Sequence, residues 1–97
     1  MENSEMIFET LKTWRPLPGW RKKRDEGDML LLSNQKLELH YLNSTAKDIV
    51  NLIDGRTIEE ICSAMQTMYE VEKTILHKAV LNVIRELQWK HLIRVSK

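Results

Sequence analysis

The sequence predicts an α+β domain in which short antiparallel strands precede three helices. Between Trp20 and Leu42 the apolar residues fall in short runs separated by turn chemistry, and Leu37 to Tyr41 alternates with period two. From Asn43 the apolar spacing changes to i, i+3, i+4 and i+7, the period of a helix with one buried face. A length of 97 residues provides for one core and no more.

Taken in order, Met6, Ile7, Phe8, Leu11 and Trp14 form the apolar side of a short helix capped by Asn3 or Ser4. Arg15-Pro16-Leu17-Pro18-Gly19 cannot continue it, because each proline lacks an N–H and biases its predecessor toward extended geometry. Residues 1–19 are therefore read as an N-terminal arm, a short helix plus a Pro-rich linker, ahead of a domain at 20–97. Trp20 to Arg24 is the first strand candidate, ended by Asp25-Glu26-Gly27-Asp28. Met29 to Leu32, continuously apolar, is a second and buried strand. After the polar turn Ser33-Asn34-Gln35, the third strand places Leu37, Leu39 and Tyr41 on one face and Glu38 and His40 on the other.

The first helix after the strands is capped by Asn43 or Ser44, buries Ala46, Ile49, Val50 and Ile53, and stops at Asp54-Gly55. Thr57 and Glu60 make a capping box for the second, whose buried stripe is Ile58, Ile61, Cys62, Met65 and Met68. The third runs from about Lys73 to Lys90. Its apolar positions, Ile75, Leu76, Ala79, Val80, Val83, Ile84 and Leu87, cover more than one packing face, which leaves one side for another task. Leu92 to Val95 carries the β-branched Ile93 and Val95 and closes the fold as a strand or extended tail.

Composition narrows the function. With 42% hydrophobic and 30% charged residues the chain is globular, and no apolar run approaches the roughly 18 residues of a membrane span. Met1-Glu2-Asn3-Ser4-Glu5 carries acid where a signal peptide carries base, and the lone Cys62 makes no internal disulfide, so a cytoplasmic setting is expected. Cys62 reads as an ordinary buried cysteine. His40, His77 and His91 share no ligand spacing, so neither a metal nor a cofactor is expected. A chain this small needs most of its apolar side chains for its core, which favours a binding module over an enzyme. Charge nearly balances, 15 Lys+Arg against 14 Asp+Glu, yet Lys12 to Arg24 holds six bases and no acid, whereas Ala46 to Glu72 holds six acids and two bases. The near-zero total argues against a nucleic-acid partner, and Arg21-Lys22-Lys23-Arg24 reads as a solvated edge strand.

Leu42-Asn43-x-Thr45-Ala46-x-x-Ile49-x-x-Leu52-x-Asp54-Gly55-x-Thr57-x-x-Glu60-Ile61, with Tyr69-x-Val71 behind it, resembles the PqqD family. That family comprises the peptide chaperone of pyrroloquinoline quinone biosynthesis and the related RiPP recognition elements of peptide-modifying systems. The resemblance spans about Trp20 to Val95. It implies a winged-helix-like domain, a three-stranded antiparallel sheet followed by three helices. It also implies that a precursor's leader peptide adds as a strand to the edge of the third strand, against the third helix, while a modifying enzyme, often a radical SAM protein, acts on the core of the same precursor.

An open edge strand offers unpaired N–H and C=O groups to any extended peptide, and side-chain pockets supply selectivity. On this reading the site is Lys36, Leu37, Glu38, Leu39, His40, Tyr41 and Leu42 on the strand, with Lys78, Ala79, Ile84 and Arg85 on the third helix. Leu37, Leu39 and Tyr41 would face that helix, and Lys78 and Arg85 would meet acidic leader side chains. The expected partners are the precursor leader and its modifying enzyme, with no nucleic acid and no membrane; the same edge permits a homodimer. No catalytic residue is expected. Two other readings stay open: a winged-helix DNA-binding regulator, disfavoured by Glu59 and Glu60 on the second helix, and an adaptor docking through its N-terminal arm.

Overall fold

The computed structural model describes residues 4–97; the Asn3 cap expected above lies outside them. In chain order the elements are α1 (Ser4–Leu11), β1 (Arg15–Pro18), β2 (Lys22–Glu26), β3 (Met29–Ser33), β4 (Leu39–Leu42), α2 (Ser44–Asn51), α3 (Ile58–Met68), α4 (Lys73–Trp89) and β5 (Ile93–Ser96). β2, β3 and β4 form a three-stranded antiparallel sheet in that order, and β1 pairs with β5 in a separate two-stranded one. The α+β class, with its three-stranded sheet ahead of three helices, is thus as the sequence predicts, as are the short α1 and the closing strand β5, while β1 and its pairing with β5 are additions.

The proline-bearing segment is a strand rather than a linker. Pro16 and Pro18 alternate with Arg15 and Leu17, and Gly19, in phase with Leu17, donates its N–H to the Leu92 carbonyl at 3.0 Å. Both missing N–H groups therefore fall on the side away from β5, where an edge strand tolerates them. The first strand of the larger sheet runs two residues later than expected, to Glu26, because Gly27 takes positive φ (77°) and turns the chain there instead.

The core is one cluster. Leu30, Leu32 and Leu42 face Ile49 and Val50 of α2, Ile61 and Met65 of α3, and Val80, Ile84 and Leu87 of α4. Phe8 of α1 joins it, its ring stacked on His77 at 3.6 Å with the planes 6° apart, while the Glu5 carboxylate sits 2.9 Å from His77 Nδ1. His77 is buried by these contacts, a role its isolated place in the sequence does not reveal. Cys62 is also buried, and burial pushes its thiol up to about 12, which favours the protonated thiol near neutral pH. No described helix is long and apolar enough to cross a membrane.

Helix starts follow the sequence signals, whereas α2 ends at Asn51, ahead of the Asp54-Gly55 stop, and residues 52–55 form a turn. Asn43 caps α2 by accepting from the Ala46 N–H at 2.9 Å, and Thr57 and Glu60 form both bonds of the capping box at 3.1 and 2.8 Å. Thr57→Ala should lower unfolding free energy by about 1 kcal/mol in urea titration, with no change in slope.

α4 ends differently. Leu92 donates to the Leu87 carbonyl and His91 to that of Gln88, the two bonds of a Schellman motif, which places His91 in the left-handed region at φ 59°. Glycine is the usual occupant. His91→Gly should raise stability by about 0.5–1 kcal/mol in the same titration.

Candidate functional site: the free edge of β4 and the end of α4

Among the described residues β4 has a neighbour on one side only, since β3 lies between it and β2. The Asn34 N–H bonds the Glu38 carbonyl at 3.1 Å, which fixes the phase of the ladder. Residues 38, 40 and 42 direct their backbone groups toward β3, and alternation sends those of Leu39 and Tyr41 outward. Four neutral hydrogen-bonding groups in a row are thereby presented to an extended chain.

Side chains follow the opposite rule from the one expected. Leu39 and Tyr41 are 66% and 59% exposed on the outer face, while His40 and Leu42 point toward the helices. The cause is register: Leu42 is opposite Leu30 and His40 is opposite Leu32, and the fully buried Leu30 and Leu32 decide which face is inner. Leu37 is not in the strand at all. It takes positive φ (65°) in the turn that leads into β4.

His40 of β4 and the turn before the strand border a groove of about 410 Å³ with the end of α4, lined by Lys36, Glu38 and His40 on one wall and Gln88, Trp89, Lys90 and His91 on the other. His40 Nε2 is buried there without a hydrogen-bond partner among the described residues. Trp89 is 84% exposed beside it, a large apolar surface free for a guest.

Asn34 sets the spacing of the two walls. It is fully buried, its Nδ2 donates to the Lys90 carbonyl at 2.9 Å and to Glu38 Oε1 at 2.7 Å, and its Oδ1 accepts from the N–H groups of Lys36 and Glu38 at 2.9 and 3.0 Å. One side chain thus ties the turn before β4 to the end of α4. The sequence marks Asn34 only as a turn residue, and Gln88 to His91 only as a helix end.

Asn34 also holds the Glu38 carboxyl below the usual carboxylate range through its amide hydrogen bond, as the Thr57 N–H does for Glu60 at the start of α3. A lowered folded pKa means that the stabilisation is complete above the unfolded value and fades as pH falls through the folded one. Melting temperature should therefore decline as acid titrates these carboxyls. Glu38→Gln should flatten part of that decline in a pH series of thermal melts.

The predicted helix residues separate. Lys78, Ile84 and Arg85 line a small groove against Ile7 and Leu11 of α1, on a different flank of α4 from Lys90. Ala79 and Val83 are eleven and seven residues before Lys90, close to whole helical turns, and so share its flank. Lys78 and Arg85 are turned away because they lie about 120° round the helix from that line. Of the predicted strand residues, Lys36, Glu38 and His40 come together with the end of α4, Leu39 and Tyr41 contribute the free edge, and Leu42 is core. Among the described residues no three His, Cys, Asp or Glu side chains gather as a metal site.

A family model described as coenzyme PQQ synthesis protein D (PqqD) matches residues 28–93. No curated protein matches the chain. A solved structure described as TbiB1 in complex with the TbiA(beta) leader peptide is similar in fold, with a TM-score of 0.70, 23% identity, and coverage of 75% of this chain and 87% of that one. The matched segment contains β3, β4, α2, α3 and α4, and with them the free edge and both walls of the groove.

Proposed function

Because the chain belongs to the PqqD family, we propose that it is a non-catalytic recognition protein that binds the leader of a ribosomally made precursor peptide by strand addition to β4. The observation that carries this is the free edge: the outward N–H and C=O groups of Leu39 and Tyr41 lie beside a groove that takes side chains. The similar fold of TbiB1, described in complex with a leader peptide, supports the same mode.

An extended peptide gains affinity from backbone pairing at Leu39 and Tyr41. It gains selectivity from side chains that enter between His40 and Gln88 to His91, with Ala79 and Val83 further along the same helix flank. Residues 20–97 are the peptide-binding unit, and the arm braces it, β1 against β5 and α1 against α4. The partner enzyme, a radical SAM protein on this reading, acts on the core of the precursor, whose local concentration rises through its held leader. The setting is the cytoplasm, and two copies can pair through the same edge when no peptide is bound.

The test is calorimetric titration with the leader of the precursor encoded beside this chain. Saturable 1:1 binding that survives moderate salt supports the reading. Binding only to duplex DNA, with a steep loss of affinity in salt, contradicts it.

A further inference from the structure

The groove at the start of β4 does not end there. It shares Lys36 and His91 with a second groove of about 460 Å³, which runs past Trp20 and Arg94 under the β1–β5 ribbon. Lys36, His91 and Arg94 form no ion pair among the described residues, and Trp20 is half-buried, with Lys23 Nζ 5.8 Å from its ring centre. Glu38, the acid of the first groove, already has its charge held by the Asn34 amide and, more distantly, by Lys36 and His91. The second groove is therefore a site of positive charge with one aromatic wall.

We propose that this annex receives an acidic segment of the same precursor peptide, next to the segment paired with β4. The inference rests on the strand-addition reading and adds a chemical requirement to it: one or two Asp or Glu residues just outside the paired stretch, their carboxylates between Lys36 and Arg94. At about 3.3 Å per residue, a chain leaving the Leu39 end of β4 reaches Lys36 in about three residues and Arg94 within a few more. Arginine at this position offers a fork suited to a carboxylate, and lysine a point charge. His91 in left-handed conformation, where glycine is the usual occupant, keeps an imidazole on the shared wall of both grooves. A nucleic acid is the less fitting occupant, because the Glu38 carboxylate lines the adjoining first groove and the strand edge presents neutral groups.

A display library of random peptides about sixteen residues long, selected on the intact chain, tests this and separates it from the reading beneath it. The expected outcome is enrichment of an alternating apolar stretch with Asp or Glu on one flank. An acid-flanked peptide from that pool should bind an Arg94→Glu variant roughly fivefold more weakly at low salt, and its neutral-flanked counterpart should bind both proteins alike. Enrichment of alternating stretches with no acidic flank overturns the annex and leaves strand addition standing. Selected peptides whose binding is indifferent to Leu39→Pro overturn strand addition and the annex with it, as does a selection that enriches nothing. An oligothymidine probe that displaces the acid-flanked peptide from the annex also overturns the proposal.

Discussion

Leu39→Pro should weaken leader binding at least about thirtyfold, roughly 2 kcal/mol, while leaving the fold in place. Proline removes the N–H that Leu39 directs away from β3 and sets its ring in the path of an incoming strand. Because that N–H makes no ladder bond among the described residues, the cost to stability should stay under about 1 kcal/mol, as for proline on other edge strands. Glu38→Pro is the contrasting variant. Its N–H donates to Asn34 Oδ1 at 3.0 Å, so it should lose stability as well as binding. Calorimetry for affinity and urea titration for stability, run on both proteins, separate the two effects.

Asn34→Ala should cost about 3 kcal/mol of stability, the largest loss expected from any polar substitution near the site. Truncation leaves the N–H groups of Lys36 and Glu38 and the carbonyl of Lys90 without the amide, in a place where the Asn34 side chain is fully excluded from water. It also unties the turn before β4 from the end of α4, so peptide affinity should fall even at temperatures where the variant stays folded. Asn34→Asp keeps the acceptor for both N–H groups but loses both donations and places a charge against the Lys90 carbonyl and Glu38. It should therefore be no better than alanine. Chemical denaturation of the three proteins, with binding measured well below each melting point, checks the order.

Much of the fold is legible because its signals are local. The capping box at Thr57 and Glu60, the Asn43 cap and the four-residue apolar steps of α2 and α3 each carry their own instruction, and each is where the sequence puts it, except that Met68 at the end of α3 is exposed rather than buried. What depends on partners distant in sequence is not legible in the same way. The alternation of β4 is visible, but its inner face is chosen by Leu30 and Leu32 across the ladder, so the same pattern fits either orientation. Pro16 and Pro18 read as chain breakers until β5, some eighty residues on, supplies an edge for them.

The same division runs through the site. The strand edge follows from the PqqD resemblance and the turn before it, and Lys36, Glu38 and His40 are found with it. Lys78 and Arg85 lie apart from that edge because a helix offers several flanks and α1 lies against theirs. Asn34 and His91 carry clues of another kind, a buried amide in a turn and a left-handed residue without glycine, which only coordinates disclose.

Amide hydrogen exchange, resolved by residue and measured with and without the precursor leader, probes strand addition at the atoms involved. Exchange at Leu39 and Tyr41 should slow by at least about tenfold when the leader binds, with His40, already bonded to β3, nearly unchanged. Protection confined to Arg21 through Arg24, or to α1 and its flank of α4, would contradict the account.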